Sequence, residues 1–183
     1  KYVGSWKDGS KIYGKITVPG NPNDKFDQGW NYEGEWQNNR PHGKGVLIDR
    51  IHVHFNPDGD RYEGGFENGF RNGHGIKYYG SIFQDAKKYD GNFKDDYENG
   101  ICSITFKNGD FFEGEIFNGL FSEEDTSEVG GYIYPSFDGS GVYTFAYGDK
   151  YSGKFKHVNS GEANGESAEI DGKIYKKDYI LID

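Results

Sequence analysis

Polar and apolar residues alternate along short stretches of this chain, and a glycine interrupts each stretch near its middle. In one stretch Tyr32, Gly34 and Trp36 fall on one side of an extended strand, whereas Glu33 and Glu35 fall on the other. A hydrophobic period of two residues is typical of β-strands that are buried on one side. The sequence therefore predicts short strands, each with an aromatic face and a charged face.

The pattern Tyr-x-Gly-x-aromatic, or a close variant of it, recurs six times. The copies begin at intervals of 30, 30, 27, 23 and 39 residues, at Tyr2, Tyr32, Tyr62, Tyr89, Phe112 and Tyr151. The fifth copy departs from the pattern, because Ile116 replaces its second aromatic. Self-similarity at a period of 20 to 50 residues, roughly, indicates a repeat array.

A glycine-rich half-motif follows several copies and predicts the returning strand of a hairpin. It reads His42-Gly43-Lys44-Gly45-Val46 in one unit and Asn72-Gly73-His74-Gly75-Ile76 in the next. Asx-Gly pairs such as Asp58-Gly59 and Asn108-Gly109 lie between units. They supply the positive φ that tight turns require. Each unit therefore reads strand, turn, strand, turn.

The stretch 32–46 closely resembles the MORN (membrane occupation and recognition nexus) repeat, whose motif runs Tyr-x-Gly-x-Trp, a turn with Asn-Gly, then His-Gly-x-Gly. The resemblance extends from Tyr2 to about Gly165. We expect an all-β fold, an elongated, twisted, antiparallel single-layer sheet of stacked β-hairpins with about twelve to fourteen strands. Six repeats should occupy residues 1–160, with insertions near 18–30 and 120–137, and residues 161–183 should form a C-terminal capping hairpin.

Composition supports a folded strand-and-turn protein. The net charge of −9 and a hydrophobic content of 33% favour disorder, but 15 tyrosines, 14 phenylalanines and 3 tryptophans supply burial that disordered chains lack. The single cysteine, Cys102, can form no internal disulfide, and we expect it to fill packing space. No apolar run reaches the length of about 18 residues that suggests a transmembrane segment, and we predict no signal peptide. Methionine is absent, as in a fragment or a processed chain.

Residues with catalytic or metal-binding chemistry lack the spacing that such sites need. His52 and His54 would face the same way on a strand, but no third ligand has the expected spacing, so we predict no metal site and no cofactor. Carboxylates are spread along every repeat, whereas a glycosidase needs two opposed carboxylates in a cleft. The 21 lysines and arginines against 30 acids are not the footprint of a nucleic-acid binder. We therefore predict no enzymatic activity and no nucleic-acid partner.

The resemblance implies a protein-interaction scaffold in the cytoplasm, associated with a membrane or the cytoskeleton. MORN arrays commonly hold protein partners or helical segments along an aromatic groove. In this chain we expect the groove to be lined by six aromatic residues, Tyr32, Trp36, Tyr62, Phe66, Tyr89 and Phe93. One alternative stays open, because packing between strands would give the same sequence pattern as a groove.

Two other functions follow from the resemblance. MORN repeats are linked to phospholipid headgroups, but the net charge of −9 opposes binding to anionic membranes. Similar arrays precede catalytic domains in some lysine methyltransferases and phosphatidylinositol phosphate kinases, so the chain could be a non-catalytic accessory domain of a larger enzyme. An exposed sheet edge would also permit self-association.

Overall fold

The computed structural model describes residues 1–23, 28–50, 59–80, 86–117 and 138–154, and the backbone of 155–156, 167–170 and 173–176. These residues form one antiparallel sheet whose thirteen strands are ordered as they are in the chain. The strands are β1 (Tyr2–Lys7), β2 (Ser10–Val18), β3 (Trp30–Gln37), β4 (Arg40–Asp49), β5 (Asp60–Glu67), β6 (Phe70–Tyr78), β7 (Ala86–Lys94), β8 (Tyr97–Phe106), β9 (Phe111–Phe117), β10 (Asp138–Thr144), β11 (Lys150–Lys156), β12 (Ser167–Ile170) and β13 (Lys173–Lys176). The predicted all-β array of hairpins is confirmed.

Two-residue turns close the first four hairpins, within each repeat. Both residues of every such turn have positive φ, between 49° and 100°: Asp8-Gly9, Asn38-Asn39, Asn68-Gly69 and Asp95-Asp96. This is the signature of a type I′ turn, whose twist matches that of the flanking strands. Aspartate, asparagine and glycine tolerate this conformation better than other residues, so the local sequence determines the turn.

One column of small residues crosses the sheet from β1 to β11. Each member pairs with the next across the strands, in the order Gly4, Gly14, Gly34, Gly45, Gly64, Gly75, Gly91, Cys102, Gly114, Gly141 and Gly153. Ten of the eleven members are glycine. Because this pairing is unbroken, all six copies of the Tyr-x-Gly-x-aromatic motif lie on odd-numbered strands, although their spacing in the sequence is unequal.

Aspartates after the Asx-Gly turns tie neighbouring repeats together. Asp110, which is 4% exposed, accepts a hydrogen bond from the backbone N–H of Ala146 at 2.8 Å and another from the Tyr143 hydroxyl at 2.6 Å. Asp60 likewise accepts the backbone N–H of Gly80 at 3.1 Å. The aspartate of one turn therefore holds the backbone of the next turn along the array.

The predicted insertions fall between paired strands. Residues 19–29 join β2 to β3, and 24–27 among them lie outside the described residues. Residues 118–137 join β9 to β10 and all lie outside the described residues. The register across the second insertion is regular, since Phe112 pairs with Tyr143 and Ile116 with Gly139. At the other end of the array, β12 and β13 form a hairpin that pairs with β11. That this hairpin serves as a cap remains a prediction.

Candidate functional site

The motif aromatics pack edge to face in a continuous ladder on one side of the sheet, here called the ladder face. Within a repeat, the ring centroids of Tyr32 and Trp36 lie 5.2 Å apart, and between repeats Tyr32 lies 4.9 Å from Phe66. The ladder runs, with centroid distances of 4.8–5.5 Å and interplanar angles of 77–90°, through Trp6, Tyr2, Trp36, Tyr32, Phe66, Tyr62, Phe93 and Tyr89. Each such pair contributes about 0.5–1.5 kcal/mol beyond its burial.

The tyrosines of the ladder lie across the glycine column and bond to the backbone beyond it. The Tyr32 hydroxyl donates to the carbonyl of Glu35 at 2.7 Å, and Tyr89 donates to that of Asn92 at 2.6 Å. A Cβ added to Gly45 would lie 2.5 Å from Cε2 of Tyr32. Glycine is therefore required because the neighbouring ring occupies the space of a side chain.

The six residues predicted to line a partner groove all belong to this ladder and are all buried. Trp36 is 7% exposed and the others, Tyr32, Tyr62, Phe66, Tyr89 and Phe93, are at most 5% exposed. In the free chain they form inter-strand packing, the alternative that the sequence left open. Direct contact between these rings and a partner stays a prediction, and it requires the rings to move out of the ladder.

A network of charged groups, which no sequence motif indicates, lies on the ladder face across β5 to β8. Lys77 Nζ is 3.3 Å from Asp60 Oδ2 and 3.3 Å from Glu98 Oε1, and the Tyr79 hydroxyl donates to Glu98 Oε1 at 3.0 Å. Burial alone would raise the pKa of Glu98, but Lys77 and Arg71 outweigh it, so this pKa lies below its ordinary value. Glu98 therefore carries its charge at neutral pH and is paired with Lys77.

A cavity of about 200 Å³ opens beside this network. Its walls include Tyr62, Phe66, Lys77 and Arg71. The Arg71 guanidinium donates to Asp96 through Nε at 3.0 Å. Both cations in its wall, Lys77 and Arg71, therefore already have acidic partners among the described residues.

Cys102 occupies the glycine column and is 4% exposed. Burial raises the pKa of its thiol to about 12. A thiol with this pKa is protonated at neutral pH and is a poor nucleophile. Its position is that of a packing residue.

The opposite side of the sheet, here called the open face, carries the charged residues of the motif. Its central row alternates acidic residues on odd-numbered strands with aliphatic residues on several even-numbered ones: Glu33, Val46, Glu63, Ile76, Asp90, Ser103, Glu113 and Val142. Neighbouring strands are about 4.8 Å apart, so successive acids are about 9.6 Å apart. The row presents acidic and apolar groups in a regular order across the array.

Cations within the chain neutralise the first three acids of this row. The ion pairs are Lys15 with Glu33 at 3.9 Å, Arg61 with Glu63, and Lys88 with Asp90 at 2.8 Å. The hydrogen bond from Lys88 holds the pKa of Asp90 below its ordinary value. In contrast, the carboxylates of Glu113 and Glu115 have no hydrogen bond or ion pair to any residue that the structure describes.

Across the described ranges, no three histidine, cysteine or acidic side chains lie close enough together to hold a metal ion. His52 and His54 fall outside those ranges. No helix among the described residues is long and apolar enough to cross a bilayer.

A single sheet of hairpins, crossed by a glycine column and closed on one face by an aromatic ladder, defines a β-hairpin repeat protein. The family model of the MORN repeat matches at four segments, residues 32–50, 62–81, 89–111 and 137–150. These four segments of the chain therefore match the MORN repeat, and the resemblance drawn from its sequence is confirmed. Repeats of this family are generally non-catalytic modules of protein or membrane interaction.

Alsin from several mammals also matches most of the chain. Over 164 residues the chain is 26% identical to Alsin of Rattus norvegicus, and equally to Alsin of Mus musculus and of Homo sapiens. The match covers 82% of this chain but 9% of each relative. The chain thus spans about a tenth of the length of the curated relatives it matches.

Proposed function

We propose that the chain is a protein-interaction scaffold that binds a protein partner, a peptide or a helix, in a cytoplasmic assembly at the cytoskeleton or a membrane. The contrast between the two faces carries this proposal. The ladder face is closed by its own aromatic side chains, whereas the open face keeps Val46 and Ile76 half-buried between acidic residues. An apolar surface bordered by charge has the composition of a protein interface.

The construction of the array supports recognition by a rigid surface. Each ladder ring is held by edge-to-face contacts, and the hydroxyls of Tyr32 and Tyr62 are tied to the backbone. Side chains on the open face therefore project from a backbone whose register is fixed by the other face. A surface ordered before binding loses less conformational entropy when the partner arrives.

Affinity capture tests this proposal. The chain is immobilised, incubated with native lysate of the source cells, and its bound proteins are quantified by mass spectrometry. The matched control carries Val46→Lys and Ile76→Lys, which alter the open face and leave the ladder intact. We expect one protein at near-stoichiometric yield on the native chain and its loss on the control. Trp36→Ala is unsuitable as the control, because unfolding would imitate loss of the partner.

Recovery of no protein above the background of the control would contradict the scaffold function. Sedimentation with phosphatidylserine vesicles at low and high salt then tests the phospholipid alternative. Binding that high salt abolishes would support a peripheral membrane module, against the expectation from a net charge of −9.

The small share of the relatives that is matched supports a second candidate function. We propose that the chain acts as a non-catalytic accessory array within a larger protein, because the matched region is 9% of Alsin. An antibody raised against the array should detect a protein much larger than 20.7 kDa in source cells. A single band near 20.7 kDa would contradict this candidate.

A further inference from the structure

We propose that the open face of β8, β9 and β10 holds a docking site for a basic amphipathic segment of the partner protein. This proposal rests on the scaffold function and specifies the chemistry of the partner. The site, here called the acid-centred patch, consists of Ile101, Phe111, Glu113, Glu115, Phe117 and Val142.

The strand geometry of β9 places two carboxylates between two aromatic rings. Alternation along the strand puts Phe111, Glu113, Glu115 and Phe117 on the same face. Successive members of this set are about 6.6–6.8 Å apart along the strand. The partner must therefore present two cationic groups about 7 Å apart.

Apolar side chains also flank the two carboxylates on both sides. Ile101 of β8 is the cross-strand partner of Glu115, and Val142 of β10 is that of Glu113. Ile101 is 72% exposed, the largest exposed fraction of any large hydrophobic side chain in the described part of the chain. Phe117, Val142 and Phe111 are 43%, 37% and 36% exposed. Exposed apolar groups around a charged centre indicate a binding surface.

Charge decides which kind of partner fits this patch. The strands β8, β9 and β10 contain no lysine, arginine or histidine. Neither Glu113 nor Glu115 has an ion pair with any residue that the structure describes, whereas Glu33 and Glu63 each pair with a cation of the chain. Anionic phospholipids are repelled by such a surface, whereas arginine or lysine can pair with the carboxylates and lay its stem on phenylalanine.

Fluorescence anisotropy of a labelled peptide tests the docking site. The probe is an amphipathic peptide of arginine and leucine, and its twin carries glutamine in place of every arginine. We expect the arginine peptide to bind the native chain and the twin not to bind. Glu113→Gln with Glu115→Gln should weaken binding about tenfold, because two exposed ion pairs with the peptide are lost.

The matched control is Glu33→Gln with Glu63→Gln, which removes the same charge from acids that are already paired. It should weaken binding by less than about twofold. The variant Ile101→Ser tests the apolar rim and should also weaken binding. Circular dichroism melts of all variants should match that of the native chain, because every substituted side chain is on the open face.

Several results would overturn the proposal. The proposal is wrong if the two double variants lose the same affinity for the arginine peptide, or if the glutamine twin also binds. It is also wrong if the native chain binds no peptide, or if it binds phosphatidylserine vesicles more tightly than the peptide. If the native chain dimerises and the variant with Glu113→Gln and Glu115→Gln does not, the occupant of the site is a second copy of the chain and not a basic segment. If this variant captures the cellular partner at the same yield as the native chain, the proposed docking site is wrong but the proposed scaffold function is not contradicted.

Discussion

Replacing Trp36 with alanine should destabilise the junction between the first two repeats. The indole packs edge to face on Tyr32 and on Tyr2 of the preceding repeat. Its Nε1 donates to the carbonyl of Gly14 at 3.1 Å, and Lys11 Nζ lies 4.7 Å from its ring centroid. One side chain therefore joins β3 to both strands of the preceding hairpin.

The expected cost follows from the burial of Trp36. A buried tryptophan replaced by alanine costs about 3–5 kcal/mol through lost burial and the cavity that remains. Its indole hydrogen bond contributes about 1 kcal/mol within this range. Domains are stable by about 5–15 kcal/mol in total, so the substitution removes a large share of the stability.

Trp6 offers a control at the same motif position. It is 55% exposed, compared with 7% for Trp36, because β1 is an edge strand of the described sheet, whereas β3 has a neighbouring strand on each side. Trp6→Ala should therefore cost roughly 1 kcal/mol. Urea denaturation followed by far-ultraviolet circular dichroism measures both variants. A difference of about 3 kcal/mol separates the midpoints by about 1.5 M if the m-value is about 2 kcal/mol/M.

Equal midpoints for the two variants would refute the reasoning. A Trp36→Ala chain that kept its native midpoint but lost its partner would also support the groove predicted from the sequence. A midpoint that falls as expected shows that Trp36 is a packing residue, and partner binding must then be tested with substitutions on the open face.

Three further predictions follow from the same contacts. Gly45→Ala should cost about 2 kcal/mol or more in urea denaturation, because its Cβ would meet the ring of Tyr32, whereas Lys44→Ala on the exposed side should cost under about 0.5 kcal/mol. The pKa of Glu98 is lowered by folding, so its contribution to stability is present above its unfolded pKa of about 4.5 and is lost as the pH falls through the folded value. Glu98→Gln should therefore flatten the decline of the unfolding free energy in acid, and an unchanged decline would contradict this. Cys102 should resist iodoacetamide at neutral pH in the native chain and react in urea, since burial raises its thiol pKa to about 12.

The arrangement of strands could be predicted from the sequence because each motif carries local information. Alternation around Gly34 identifies a strand and its two faces, and the repetition of the motif identifies an array. The two-residue turns within repeats were less evident, since Asn38-Asn39 and Asp95-Asp96 contain no glycine. In these turns asparagine and aspartate adopt a positive φ, which they tolerate less readily than glycine does.

Burial could not be predicted in the same way. Alternation shows that Tyr32 and Trp36 share a face, but not whether that face is covered. The structure answers this through contacts between repeats, such as that of Tyr32 with Phe66, which depend on the register of strands distant in the sequence. The pairing of Lys77 with Glu98, 21 residues apart, depends on the same register. The strand pattern of β9 places Phe111, Glu113, Glu115 and Phe117 on one face, but their neighbours Ile101 and Val142 follow only from the register with β8 and β10.

The unbroken pairing along the glycine column makes the dimensions of the array independent of the length of its sequence. Motif copies start 23 residues apart in one case and 39 in another, yet each advances the sheet by two strands. Every repeat therefore adds about 9.6 Å, however long its loops are. Insertions and deletions in the loops can change the surface at the ends of the strands. They do not change the distance between groups bound at different repeats. The number of hairpins alone sets the reach of the array.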